Sequence, residues 1–248
     1  MKLLDELLLI AFDEGLPQRL EVLLDRGIAE PLLADFKVGP IFSFGPVVRP
    51  TRLFVSDCGE ADQWERVVRA HWGGGPLGAL LALGQPGFRR MFDSDGSSAG
   101  ELYLDDLQDH PALAEAEAAR PPGLDAPVMC MTVFVQTGLR TIITRHSTFP
   151  VEHLDASRMT SLQPARDAGG LWGLRWAKGE LLSALWVSES RWRGDPERSR
   201  AVAEQLGAPA EWTESLRLLE QAGHQGYPDA IEFGLDGSIM VTLGVMPR

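Results

Sequence analysis

Hydrophobic and polar residues alternate along several stretches of the chain, as they do in β-strands that have one apolar face. The alternation is clearest in three pairs of stretches joined by short turns: 127–136 with 139–147, 171–177 with 181–188, and 229–235 with 239–245. Successive side chains of a strand point to opposite faces. In the last stretch, Ile239 and Val241 therefore share one face, and Met240 and Thr242 share the other. The pattern predicts three antiparallel hairpins.

Helical periodicity and capping residues predict the remaining elements. Helices are expected at about 1–14, 16–27, 57–71, 109–120, 195–207 and 209–222, and further strands near 51–56 and 101–105. Residues 77–92 are compatible with either a strand or a helix. The segment around Gly39, Pro40, Gly45 and Pro46 is expected to be a loop, and 150–169 a polar connection.

Hairpins that alternate with helices favour an α+β fold. We expect an antiparallel β-sheet built from β-hairpins and surrounded by helices. Since no linker or low-complexity tract interrupts the sequence, residues 1–248 are expected to form a single domain. An open sheet and a closed barrel both fit the pattern, and closure would remove the exposed sheet edges.

The charge balance narrows the classes of partner. The formal net charge is −12, from 23 basic and 35 acidic residues, and this argues against a general nucleic-acid or anionic-membrane surface. The first apolar run carries Asp5 and Glu6 where a signal peptide is positively charged, and it is too short to span a bilayer. The two cysteines form no CxxC motif, which favours reduced thiols. We therefore expect a cytoplasmic protein.

The order of hairpins and helices recurs in loose units of about 40–60 residues. With segments such as Gly100-Glu101-Leu102-Tyr103-Leu104-Asp105, this organisation resembles the ABBA-type barrels of the soluble aromatic prenyltransferases. The resemblance implies repeated αββα units around a ten-stranded antiparallel barrel, with the chemistry in its lumen. It further implies transfer of a prenyl group from a prenyl diphosphate to an aromatic acceptor, with Mg²⁺ a candidate cofactor. That family usually supplies lysines and several tyrosines for the diphosphate, whereas this chain has two tyrosines.

Candidate site residues follow if the apolar strand faces point to the helices. The polar residues expected to face the lumen are Arg52, Glu101, Tyr103, Thr132, Gln136, Arg140, Thr144, His146, Arg175 and Glu232. Arg52, Arg140 and Arg175 are the candidates for binding phosphate oxygens. Tyr103 and Phe134 are expected to shield an allylic cation. Glu232 or His146 is expected to accept a proton.

Other interpretations of the same residues remain open. The arginines also suit ion pairs with nearby carboxylates, and the tryptophans of the 171–188 hairpin suit a sheet-to-helix core better than a ligand pocket. His146, Glu152 and His153 have no standard zinc spacing. The alternative function is a non-catalytic ligand-binding or protein-interaction protein. Substrate and oligomeric state are not determined by the sequence.

Overall fold

The computed structural model of the chain describes residues 37–47, 52–56, 89–94, 97–103, 111–134, 139–154, 159–188, 196–221 and 224–247. The strands are β1 (Lys37–Phe44), β2 (Arg52–Ser56), β3 (Arg89–Ser94), β4 (Ser97–Tyr103), β5 (Val128–Phe134), β6 (Arg140–His146), β7 (Leu171–Ala177), β8 (Glu180–Val187), β9 (His224–Gly234) and β10 (Ile239–Pro247). The helices are α1 (Pro111–Ala118), α2 (Met159–Ala168), α3 (Pro196–Gln205) and α4 (Ala210–Gln221), and Val151–His153 forms a 3₁₀ turn.

All strand pairings between these ten strands are antiparallel, and their order is circular. Each strand pairs with the next one along the chain, and β1 pairs with β10 as well as with β2. Ile41, for example, is in register with Arg52 on one side and Thr242 on the other. The antiparallel α+β architecture expected from the hairpin pattern is confirmed.

The two faces of the sheet have different neighbours. Helices α3 and α4 pack against β9, and Trp212 of α4 contacts Phe42 and Phe44 edge-to-face, each with 5.4 Å between ring centroids. Register places Val241, Ile231 and the rings of the 171–188 hairpin on this same side. We call it the helix face, and it carries the buried residues Phe42, Phe44, Leu174, Trp172, Trp186, Ile231 and Val241.

The tryptophans of the 171–188 hairpin belong to this core. Trp172 is buried and contacts Phe149 edge-to-face at 4.9 Å, and it stacks with Phe233 at 6.4 Å. The Trp186 indole N–H donates to the Gly169 carbonyl at 2.5 Å. The sheet-to-helix core expected for these side chains is therefore confirmed.

The face of the sheet that points away from these helices is also buried. We call it the opposite face. Its apolar cluster consists of Met129, Cys130, Ile143, Leu185, Val187 and Ala230. Gly173 lies among them, where a Cβ atom would come within 2.7 Å of Ile143 Cγ2. A larger residue at this position would therefore require the Ile143 side chain to move.

Two elements differ from the sequence-based expectation. The segment expected to be a loop contains strand β1, so that prediction was wrong. Pro40 is in register with Leu53 of β2, whereas the pairing with β10 starts at Ile41, so the missing proline N–H lies at a locally unpaired strand edge. The 150–169 connection contains helix α2, which tolerates Pro164 and ends before Gly169 at φ +72°.

The helices expected at 1–14, 16–27 and 57–71 lie outside the described residues. The ambiguous stretch 77–92 ends in strand β3. Among the helices of the described part of the chain, none combines the length and apolar character needed to cross a membrane.

We predict that Trp212→Ala lowers the free energy of unfolding by about 3–5 kcal/mol, because it removes the ring that fills the space between Phe42 and Phe44. Urea unfolding followed by circular dichroism measures this change. Val151→Ala is the control, because the Val151 side chain is 56% exposed and its truncation should cost less than about 0.5 kcal/mol. Equal losses in the two variants would contradict this assignment of the core.

Candidate functional site

A buried arginine forms the centre of a polar cluster on the opposite face. Arg175 lies in the middle of β7, in register with Ile143 of β6 and Ser183 of β8. Its side chain is only 9% exposed. Burying a guanidinium is costly unless its N–H groups have hydrogen-bond acceptors. Side chains of three other strands are these acceptors.

Those acceptors surround the guanidinium. Nε of Arg175 donates to Glu232 Oε1 at 2.8 Å, and Nη2 lies 3.4 Å from Glu232 Oε2. Nη1 donates to Thr132 Oγ1 at 2.8 Å and to Thr141 Oγ1 at 3.1 Å. Fork-to-fork pairing of this kind fixes the plane of the carboxylate as well as its position.

The carboxylate of Glu232 is the most accessible part of the cluster. Its side chain is 28% exposed. Oε1 also accepts a hydrogen bond of 2.5 Å from the Ser183 hydroxyl. Oε1 is therefore fixed by two donors, while Oε2 makes the longer contact with Arg175. We call Thr132, Thr141, Arg175, Ser183 and Glu232 the polar cluster.

Thr141 and Ser183 were missed by the sequence analysis. Each is the single hydroxyl residue on its strand face: Thr141 shares its face with Ile143, and Ser183 shares its face with Leu185. A register shift in the β7–β8 hairpin, between Arg175 and Trp176, places Ser183 beside Arg175. The available signal was a polar residue on the buried face, but its pairing depends on that shift.

Arg140 does not join the polar cluster, so its expected place beside Arg175 was wrong. It forms an ion pair with Glu115 of α1 and is largely exposed. The reason is the two-residue period of a strand: Arg140 and Thr141 point to opposite faces, and Thr141 is the one that contacts Arg175. Arg140 therefore forms an ion pair with a nearby carboxylate, which was the other interpretation of the arginines in the sequence.

His146 likewise lies on the helix face, together with Thr144, so the expectation that they face the lumen beside Glu232 was wrong. Its Nε2 is 3.0 Å from Thr144 Oγ1, and its ring is 5.8 Å from that of His153. Burial lowers the pKa of His146, the His153 ring lowers it further, and Glu152 partly offsets both. Because the sheet separates His146 from Glu232, the two side chains do not act on one reacting atom.

The three remaining candidates lie in β2, β4 and β5. Phe134 is half-buried at the end of β5 and shares the strand face of Thr132. Arg52 is in register with Ile41, and Tyr103 with Cys130. For Arg52 and Tyr103 the structure describes the backbone position alone.

Within the described ranges, no group of three or more His, Cys, Asp or Glu side chains is arranged to hold a metal ion. The Glu152 Oε1–His153 Nε2 distance is 3.6 Å, so this part of the 3₁₀ turn forms an ion pair when His153 is protonated.

Comparisons with known proteins do not place the chain in a family. No protein-family model matches it, and no curated protein is similar to it in sequence.

The polar cluster presents an oriented carboxylate in apolar surroundings. Arg175 compensates the charge of Glu232, and Arg175 and Ser183 restrict its rotation. Such a carboxylate can accept a hydrogen bond, and then a proton, from an N–H, O–H or acidic C–H group of a bound molecule.

We predict that Glu232→Leu destabilises the fold by about 3–5 kcal/mol, because it leaves the buried Arg175 charge without its carboxylate. Arg175→Met should be less damaging, since water reaches the partly exposed Glu232. The double variant should lose about 0.5–3 kcal/mol less than the sum of the single losses. Urea unfolding of the four proteins gives all three values.

The same cycle on Arg217 and Glu214 is the control. These residues form an exposed i,i+3 pair on α4, for which a coupling below about 0.5 kcal/mol is expected. Additive losses at Arg175 and Glu232 would contradict the central role given to their pairing.

Proposed function

We propose that the protein binds a small, partly hydrophobic molecule against the opposite face of the sheet. In this proposal the circular strand order closes an ABBA-like barrel, and the polar cluster lies in its lumen. The reaction that fits best is transfer of a prenyl group from a prenyl diphosphate to an aromatic acceptor.

The observation that carries the proposal is the oriented, partly exposed Glu232 carboxylate beside the buried apolar cluster of the opposite face. The described helices that pack on the sheet contact the helix face, yet Cys130 and Ile143 on the opposite face are fully buried. An enclosed apolar space with a few fixed polar groups is the usual form of a small-molecule site.

Glu232 has the central role in this reaction. The bond from the prenyl carbon to the diphosphate oxygen breaks, and the diphosphate leaves. The aromatic ring of the acceptor forms the new C–C bond, and Glu232 takes the proton that the ring loses. Arg175 and Ser183 orient the carboxylate, while Phe134 and Tyr103 are assigned to shielding the cation and Arg52 to the diphosphate.

A second candidate function is non-catalytic binding of a neutral ligand. One observation favours it: in the part of the chain that the structure describes, Arg175 is neutralised by Glu232, and Arg140 lies on the helix face. A diphosphate requires several cations around its oxygens, whereas a neutral aromatic molecule requires only the carboxylate and the apolar wall.

We predict that dimethylallyl or geranyl diphosphate, each tested with and without Mg²⁺, raises the melting temperature of the protein. A ligand at 100 times its Kd stabilises the folded state by about 2.7 kcal/mol, which is roughly 5–10 °C for a chain of this size. Pyrophosphate alone and a neutral aromatic acceptor, such as an indole or a naphthol, are measured in parallel.

Glu232→Gln separates catalysis from binding. It should retain the thermal shift with the diphosphate and lose most of the prenylated product detected by mass spectrometry, by about 10²-fold or more. Glu180→Gln is the matched control, because Glu180 is exposed at the start of β8. No shift with any diphosphate would exclude prenyl transfer, and a shift with the neutral aromatic alone would support the second candidate.

A further inference from the structure

The Val151–His153 turn rests on the helix face through aromatic rings. The His153 ring contacts the Trp176 ring at 5.7 Å and the His146 ring at 5.8 Å, edge-to-face in both cases. Its side chain is 27% exposed, so protons reach it from solvent. On either side of the turn, Pro150 and Leu154 are buried. The turn is thus a short segment held between two anchors.

Hydrogen bonds around Thr144 determine where His146 carries its proton. The Trp176 indole N–H donates to Thr144 Oγ1 at 3.0 Å, and the Thr144 hydroxyl donates to the Leu174 carbonyl at 3.3 Å. Since the hydroxyl has a single proton, the contact with His146 Nε2 at 3.0 Å has the histidine as donor. Neutral His146 is therefore protonated on Nε2, and acid adds the second proton at Nδ1.

This placement keeps the bond to Thr144 in both charge states of His146. What changes with acid is the charge on the His146 ring, which faces the His153 ring. In the described residues, the titratable groups that act on His146 are His153 and Glu152 of the turn, and β7 presents the uncharged Trp176. Glu152 lies 3.6 Å from His153, and Arg166 of α2 covers the neighbouring Phe149 ring.

We propose that the contact between the two histidine rings makes the Val151–His153 turn a pH-sensitive latch: protonation of His146 opens the turn and uncovers Trp176, while the sheet beneath stays folded. A charged imidazolium at His146 is poorly hydrated while the His153 ring covers it, and opening the turn moves that ring away. The buried residues on both sides limit the movement to the turn.

The lowered pKa of His146 in the closed turn determines how closure of the turn depends on pH. Burial and His153 hold the pKa of His146 below its ordinary value of about 6.5. The closed turn therefore binds fewer protons than the open one, and closure is fully favoured above that value. It is lost progressively as the pH falls below it.

Amide hydrogen exchange measured by NMR from pH 7.5 to 5.0 tests the latch. The turn is closed by the His153 N–H, which donates to the Pro150 carbonyl, and the Leu154 N–H, which donates to the Val151 carbonyl. After correction for intrinsic rates, their protection should fall with pH by about tenfold for each unit of pKa difference between closed and open turn. The Arg145 amide, which donates to Pro127, should keep its protection.

His146→Asn removes the titrating group and retains a donor for Thr144, so the protection of Leu154 should become largely independent of pH. His153→Phe retains a ring against Trp176 and the burial of His146, so it should weaken the pH dependence without abolishing it. Unchanged pH dependence in both variants, or protection in the wild-type chain that does not fall with pH, would overturn the proposal. Parallel loss at Arg145 would also overturn it, because the opening would then be global.

Discussion

The burial of one guanidinium constrains the alignment of five strands of this fold, β5 to β9. Arg175 cannot leave water without acceptors for its N–H groups, and these acceptors come from strands that are distant in the sequence. Thr132 of β5, Thr141 of β6 and Glu232 of β9 contact it directly, and Ser183 of β8 holds the carboxylate. A shift of register in any of these strands would leave a buried charge uncompensated, so the cluster specifies strand alignment where apolar side chains alone allow alternatives.

Much of the architecture is contained in the two-residue period of the chain. It predicts the three hairpins, the separation of Arg175 from its tryptophan neighbours, and the position of those tryptophans in the core. It fails at β1, where Gly39 and Pro40 look like loop residues. The strand tolerates Pro40 because the pairing with β10 begins at the next residue, and the sequence contains no signal for that geometry. Helix α2 was missed because Pro164 lies inside it.

The candidate site was only partly predictable, for a related reason. Alternation identifies the two faces of a strand, but it does not say which face meets the helices at a given strand. The alternation in β6 therefore predicts that Arg140 and His146 face the lumen. In the structure, Thr141 on the other face of this strand contacts Arg175. The pairing of Arg175 with Glu232 joins residues far apart in the sequence. Their partnership depends on the register of β7, β8 and β9, which includes a shift beside Trp176.

The pairing of β1 with β10 has a consequence for the synthesis of the protein. Ile41 and Phe44 reach their partners Thr242 and Ile239 only after β10 has been synthesised. Until then β1 has a free hydrogen-bonding edge, and Phe42 and Phe44 lack the ring of Trp212. An apolar strand with an open edge is a template for association with other chains. The edge of β1 is therefore open to such association until β10 pairs with it.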